Sequence, residues 1–221
     1  MQEVRLIEIK EEILADNGRM AGELRERLTG EGCLLLNLMA SPGAGKTSLI
    51  LRTLEGLKND FRLGVLEADI DSMVDSEKIA AIKVPVVQLR TGGFCHLDAA
   101  MVAQGLDKMD TKQLDLIVIE NVGNLVCPAE FDTGAHKKVM ILSVPEGDDK
   151  PLKYPLMFKV SDVLVLNKTD YLELAEFDRD ALRERVLRLN PDIRIFEVSC
   201  RTGEGIKEWT DWVTSQLAGT I

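Results

Sequence analysis

Three groups of residues in this 221-residue chain have the types and spacing to do chemistry. The first is Ala40-Ser41-Pro42-Gly43-Ala44-Gly45-Lys46-Thr47, followed by Ser48. An apolar run, Cys33 to Met39, leads into it and a helical pattern, Ser48 to Leu54, leads out, the setting of a phosphate-binding loop. Gly43 and Gly45 permit a tight turn that aims backbone N–H groups at phosphate oxygens. Lys46 is expected to reach the β- and γ-phosphates and the Thr47 hydroxyl to ligate Mg²⁺, with the positive end of the helix dipole behind them. The loop opens with Ala40 where the usual pattern has Gly, a small residue that takes positive φ less readily.

The second group selects a base and senses a phosphate. Asn167-Lys168-Thr169-Asp170 directly follows an apolar strand. The Asp170 carboxylate can accept from guanine N1–H and the exocyclic amine, whereas adenine would leave the charge unpaired. The Lys168 stem can lie over the base, and Asn167 can tie this loop to the phosphate loop. Ser199-Cys200-Arg201, at the end of the last strand, fits a further base-contacting loop with backbone N–H groups near guanine O6. Glu120-Asn121-Val122-Gly123 stands where GTPases carry an acid, two spacers and Gly. Glu120 is expected near Mg²⁺, and Gly123 N–H can sense a γ-phosphate. Asn124 follows, not the Gln that some GTPases use to orient water, so intrinsic GTP hydrolysis is expected to be slow. Asp69, closing the second strand, is a candidate for Mg²⁺ or water positioning; its other reading is a helix cap. The expected catalytic set is Lys46, Asp69, Glu120 and Gly123, with Thr47, Asp69 and Glu120 around Mg²⁺ and GTP or GDP as ligand.

The third group is Cys95-His96 and Cys127. Thiolate and imidazole suit borderline-soft ions such as Zn²⁺ and Ni²⁺, although this is not a zinc-finger spacing. Buried cysteines beside an unrelated His are the competing reading. Cys127 comes four residues after Gly123, on the segment expected to move with the γ-phosphate. Three ligands do not close a four-coordinate site, so it stays open or is shared by two chains. Cys33 and Cys200 read as structural, and His136, beside Lys137-Lys138, as a surface residue.

The elements that must position these groups alternate. Strands are expected at 33–39, 62–69, 84–89, 114–119, 138–143, 162–166 and 193–198. Pro85 is expected near a sheet edge or among the first residues of the third strand. Helices are expected after the phosphate loop, from Asp71 to Ile82, from Leu97 to Met109, around Leu182, Val186 and Leu189, and around Ile206, Trp209 and Val213. Residues 145–155 read as an exposed connection entering a short helix. Strands apolar on both faces call for a mostly parallel central sheet with helices on both sides, an α/β fold. Residues 3–28 read as one or two docked helices with a break at Asn17-Gly18. The expected domains are an N-terminal helical extension, 1–30, and a nucleotide-binding domain, 31–221.

Composition narrows the partners. Lys and Arg number 27 against 37 Asp and Glu, a net charge of −10, which argues against nucleic-acid binding. No apolar span of membrane length occurs, and the charged first residues do not form a signal-peptide core. A cytoplasmic protein with reduced thiols is expected.

With these motifs assembled, the chain resembles the HypB family, the nickel-incorporation GTPases of nickel–iron hydrogenase maturation, over roughly residues 30–215. The matching pieces are Ser41 to Thr47, Gly93 to Asp98, Glu120 to Pro128, Glu146 to Pro151 and Asn167 to Asp170. The resemblance implies a SIMIBI-like P-loop GTPase fold and a GTP-promoted homodimer. It implies a Cys95, His96 and Cys127 site for Ni²⁺ or Zn²⁺ near the dimer interface. It also implies transfer of metal toward the hydrogenase large subunit with a partner nickel-maturation protein. The N-terminal Cys-rich or His-rich nickel motifs of some members are not expected here. Ser41 stands where related dimerising proteins often have a second Lys, so Lys150 or Lys153 is the candidate for cross-dimer charge. The alternatives are a regulatory GTPase switch with structural cysteines, or a urease-type nickel GTPase. The latter carries Cys-Pro-His, whereas Cys127-Pro128 is followed here by Ala129.

Overall fold

The computed structural model describes residues 9–69 and 79–220. Seven parallel strands form one sheet in the order β3-β2-β4-β1-β5-β6-β7. In chain order the strands are β1 (Leu34–Ala40), β2 (Leu63–Asp69), β3 (Val86–Arg90), β4 (Leu116–Glu120), β5 (Lys137–Ser143), β6 (Val163–Asn167) and β7 (Arg194–Glu197). The helices are α1 (Ile9–Gly30), α2 (Lys46–Leu57), α3 (Ala99–Leu106), α4 (Cys127–Glu130), α5 (Lys150–Lys153), α6 (Pro155–Val160), α7 (Arg179–Leu189) and α8 (Ile206–Thr220). The helix expected from Asp71 lies, up to residue 78, outside the described residues.

The α/β fold expected from the alternating pattern is the one observed, with core on both faces of the sheet. On β1, Leu34, Leu36 and Leu38 face α2 and α8, where Leu49, Leu54 and Trp209 cover them. Leu35 faces α1 and α3 with Leu24, Leu28 and Val102. Met39, Met140 and Leu164 meet Phe158 of α6 and Val186 of α7. This period-two division is what a strand buried on both sides requires. β3 is an edge strand, and Pro85 sits just ahead of it; its carbonyl accepts from Val65 N–H at 2.9 Å, so its missing donor breaks no ladder bond.

Three local expectations need correction. The first helix runs unbroken through Asn17-Gly18. Asn disfavours helix when its amide bonds the nearby backbone, but here that amide is engaged elsewhere in the fold: Ala99 N–H donates to Oδ1 and Nδ2 donates to Asp132 O, both at 2.9 Å. His136 is half-buried and bonded rather than a free surface residue. Its Nδ1 accepts from Leu35 N–H at 2.9 Å and its Nε2 lies 3.0 Å from Thr29 Oγ1, so it joins β1 to α1. The 145–155 connection is anchored, not merely exposed: Asp148 accepts from Asp178 N–H at 2.8 Å and pairs with Arg185, and Pro151 is buried.

Leu24 and Leu28 are buried with Leu97, Val102 and Leu106, each such side chain worth about 1.5–3 kcal/mol. Gly134 lies so close to α1 that a Cβ there would meet Leu24 Cδ2 at 2.8 Å. Ala40, Glu120 and Asn167 all end their strands on one edge of the parallel sheet, the carboxyl edge where such sheets bind ligands.

Candidate nucleotide and metal sites

The phosphate loop leaves β1 at Ala40 and enters α2 at Lys46. Its positive-φ residues are Gly43 (77°) and Gly45 (102°), so Ala40 has no left-handed conformation to adopt. A Cβ at Gly45 would meet Asn167 Nδ2 at 2.3 Å. Ala44 N–H turns back to Ser41 O at 3.3 Å, which shapes the loop. Together with Glu67, Ala68, the Glu120–Gly123 segment and Lys168, the loop lines a cleft of about 520 Å³. Pro42, Gly43, Gly45, Lys46, Thr47 and Ser48 all face it. A larger depression, about 730 Å³, is lined by Asp148, Glu176, Asp178, Asp180 and Glu197 together with Arg179 and Arg183, and none of the phosphate-loop or base-loop residues borders it.

Thr47 Oγ1 donates to Glu120 Oε1 at 2.8 Å, so the hydroxyl and the strand-end carboxylate share one spot at the loop. A hard cation takes such oxygen donors, and the pair fits Mg²⁺. Asp69 closes β2, and its side chain lies outside the described residues. Glu67, which the motifs did not single out, is 2 % exposed and in parallel register with Glu120 at the cleft. An acid between apolar neighbours, two residues before Asp69 in β2, was the signal for it.

Gly123 abuts the phosphate loop. A Cβ there would lie 2.9 Å from Pro42 Cγ and 3.0 Å from Pro42 N, so only Gly brings this segment so near the phosphates. The segment is held by Asn121, a second residue missed from sequence. It is fully buried; its Oδ1 accepts from Leu97 N–H (3.2 Å) and Val122 N–H (2.9 Å), and its Nδ2 donates to Asn37 Oδ1 at 3.2 Å.

At the other end of the cleft, Asn167 Nδ2 donates to Ala44 O at 3.0 Å and Lys168 Nζ to Gly43 O at 2.7 Å. Lys168 itself holds φ 61°. A pocket of about 240 Å³ opens beside them, lined by Asp170, Tyr171, Cys200 and Arg201 among others. Asp170 Oδ1 accepts from Ser199 Oγ at 2.6 Å; buried Oδ2 has no hydrogen-bond partner, the nearest cation being Arg201 Nη1 at 3.8 Å. An acceptor left over in a pocket is what a base with two N–H donors completes. Ser199 is fully buried and supports Asp170. Cys200 N–H donates to Asn167 Oδ1 at 3.3 Å, and burial pushes the Cys200 thiol up to about 11, leaving it an inert neutral group. Burial likewise raises Cys33 to about 12.

Cys95, His96 and Cys127 come together within one chain, their ligand atoms all within 4.8 Å of one another. Cys95 Sγ lies 3.1 Å from Cys127 Sγ and 3.7 Å from His96 Nδ1. The neighbouring Cys95 thiol, then burial, raises Cys127. Burial lowers His96, against the pull of Asp98 and Glu130, so its imidazole is neutral and able to bind metal. Bound to a tetrahedral ion at about 2.3 Å, two thiolates would sit roughly 3.7 Å apart, so a small opening of the pair admits one. Phe94 (58 % exposed) and Val126 (53 %) flank the cysteines. The Asn124 side chain spans the two loops: Nδ2 donates to Cys95 O at 3.3 Å and Oδ1 accepts from Val126 N–H at 2.9 Å. Lys150 and Lys153 stand outside their own chain's nucleotide cleft; Lys153 pairs with Asp149 at 2.5 Å and Lys150 lies over the Tyr154 ring.

Fold and cleft together define a P-loop GTPase, and residues 34–197 match the family described as CobW/HypB/UreG, nucleotide-binding domain. Within that class, relatives described as HypB match along nearly the whole chain. The chain is 48 % identical over 216 residues to "Hydrogenase maturation factor HypB" of Azotobacter vinelandii, covering 98 % of this chain and 71 % of that protein. It is 41 % identical to the Escherichia coli K12 protein of the same description, covering 98 % and 74 %. The crystal structure of HypB from Archaeoglobus fulgidus superposes with TM-score 0.86 at 38 % identity, covering 92 % and 99 %. That of HypB from Helicobacter pylori in complex with nickel gives 0.87 at 36 %, covering 92 % and 96 %. The signal recognition particle receptor FtsY of Elizabethkingia anophelis, 12 % identical at TM-score 0.54, shares the fold alone. The chain belongs to the HypB family of hydrogenase maturation factors.

Proposed function

We propose that this chain is a GTP-dependent nickel metallochaperone, which binds Ni²⁺ or Zn²⁺ at Cys95, His96 and Cys127 and delivers nickel toward the hydrogenase large subunit. The observation that carries the reading is the 120–127 segment. Its Gly123 touches the phosphate loop, and four residues on its Cys127 touches Cys95. The nickel complex of the Helicobacter pylori relative supports the choice of metal.

In this reading the Gly43–Ser48 backbone and Lys46 hold the polyphosphate, and Asp170 fixes the guanine. Mg²⁺, bound by Thr47 and Glu120 with Asp69 as a further candidate, would neutralise charge developing on the phosphates. Gly123 N–H donates toward a γ-phosphate, and losing that phosphate releases the segment. Because Asn124 uses its amide between Cys95 and Val126, it is turned from water positioning, which supports slow turnover. The proposed division is an N-terminal extension, 1–30, whose described part is the helix Ile9–Gly30, and a GTPase domain, 31–221. GTP-promoted pairing of two chains, with Lys150 or Lys153 reaching the partner's nucleotide, completes the cycle with a nickel-maturation partner. The reading puts the protein in the reducing cytoplasm, where Cys95 and Cys127 remain thiols.

The test is Ni²⁺ and Zn²⁺ titration with GDP bound and with a non-hydrolysable GTP analogue bound. A difference in affinity between the two states is expected; identical affinities contradict the reading. Unchanged GTP turnover and association in Lys150→Ala and Lys153→Ala would remove the cross-dimer part.

A further inference from the structure

We infer that α1 is a brace for the two metal-binding loops and that Asn17 is the positioning residue that joins them. This rests on the reading of Cys95, His96 and Cys127 as a metal site and goes beyond it, because it gives the first helix a role there.

The loops approach each other from different parts of the sheet. Cys95-His96 precedes α3, whose first residue is Ala99; Cys127 begins α4, which ends into Phe131 and Asp132. Asn124 links them from within the second loop, and Asn17 links them from α1. Asn17 Oδ1 accepts from Ala99 N–H and Asn17 Nδ2 donates to Asp132 O, each at 2.9 Å. Both amide ends are therefore fixed by partners that allow only one orientation. The two bonded backbone groups lie three residues after His96 and five after Cys127.

In front of this joint the loops meet again. The His96 and Phe131 rings stack with centroids 4.0 Å apart and 28° between planes. Phe131 is the residue immediately before the carbonyl that Asn17 holds. Asn17, α3, His96, Phe131 and Asp132 thus form a closed ring of contacts, and the imidazole orientation depends on it. Arg25 fixes the same helix to the same turn, with Nη2 donating to both Asp132 carboxylate oxygens at 2.8 and 2.9 Å and Nε to Ala135 O at 3.0 Å. Leu24 and Leu28 pack α1 against α3. The helix therefore grips both loops, and Asn17 is where the two grips converge. Residues behind metal ligands set ligand orientation and typically change affinity 10–100-fold when removed.

Asn17→Leu keeps side-chain size and helix compatibility while deleting both bonds. The experiment uses the full chain, with Zn²⁺ affinity measured by chelator competition and the thiolate charge-transfer absorption of bound Co²⁺ as a report on ligand geometry. Asn17→Leu is expected to bind Zn²⁺ roughly tenfold more weakly, with an altered Co²⁺ spectrum and wild-type GDP affinity. Wild-type Zn²⁺ affinity and Co²⁺ spectrum would overturn the brace; so would a parallel loss of GDP affinity, which marks general loosening. Should Asn17→Leu not fold, Asn17→Asp keeps the bond from Ala99 N–H and deletes the one to Asp132 O, and the same outcomes support or overturn the brace. Cys127→Ala separates the two levels. If wild type binds Zn²⁺ no better than Cys127→Ala, the metal site and the brace both fall; if it binds far better but Asn17→Leu equals it, the brace alone falls.

Discussion

The base end and the metal end of the cleft are built in opposite ways. At the base end the loops close on themselves: Asn167, Lys168, Ser199 and Cys200 bond one another, Asp170 or the phosphate loop, and one carboxylate oxygen is left for a ligand. At the metal end the ligands stand at the surface, with Cys95 exposed beside Phe94 and Val126, and their order comes from behind, through Asn17, Asn121 and Asn124. A pre-formed pocket selects its ligand, whereas an open site supported from one side can accept and release one. The segment from Gly123 to Cys127 runs from the phosphate loop to the metal end, and the difference between the ends suits the proposed role, in which a fixed nucleotide governs a movable metal.

The comparison breaks if the ends do not respond separately. Cys127→Ala is expected to weaken Zn²⁺ binding by more than about 100-fold, beyond what outer partners cost, while GDP affinity stays within about twofold of wild type. Asp170→Ala should do the reverse. Losing two hydrogen bonds to a charged acceptor lowers GDP affinity by about 100-fold and leaves Zn²⁺ binding unchanged, as calorimetry on both ligands would read. A smaller effect sharpens the picture. Asn124→Ala removes the strut between the sensor segment and Cys95, and should reduce by a few-fold the difference in metal affinity between GDP and GTP-analogue states. An undiminished difference would mean that the strut carries no coupling.

The smallest effect is on pH dependence. Burial, then the Arg25 charge and Lys137, lowers the pKa of His136, which must stay neutral to accept from Leu35 N–H. Below about pH 6.5 the unfolded chain takes up a proton that the folded chain refuses, so stability falls as pH drops through that value, by at most about 1.4 kcal/mol per unit for this group. His96, also lowered by burial, adds in the same direction. Melting midpoints at pH 7.5, 6.5 and 5.5 should decline in wild type and decline less in His136→Gln.

The strand order could not be read from the chain, but the strands themselves could, because runs such as Leu114 to Ile119 are apolar on both faces and end in the residue that does chemistry. The motif residues were legible for the same reason: Glu120 closes a strand, and Lys46 and Asp170 belong to the loop motifs that follow strand ends. What was hidden is the amide chemistry. Asn17, Asn37, Asn121 and Asn124 are ordinary in sequence, and each gains its role from partners far along the chain, such as Asp132 for Asn17 and Asn37 for Asn121. Asn17-Gly18 even argued for a helix break, since nothing local shows that the amide has tertiary partners. His136 misled in the same manner, its two lysine neighbours giving no sign of the bonds to Leu35 and Thr29 that half-bury it.

The most direct test of the account is reciprocal. Affinity for a non-hydrolysable GTP analogue, measured with and without saturating Zn²⁺, should change by the same factor by which the analogue changes Zn²⁺ affinity, and Cys127→Ala should abolish both. Analogue affinity that is the same with and without the metal would contradict the claim that one segment serves phosphate and thiol together.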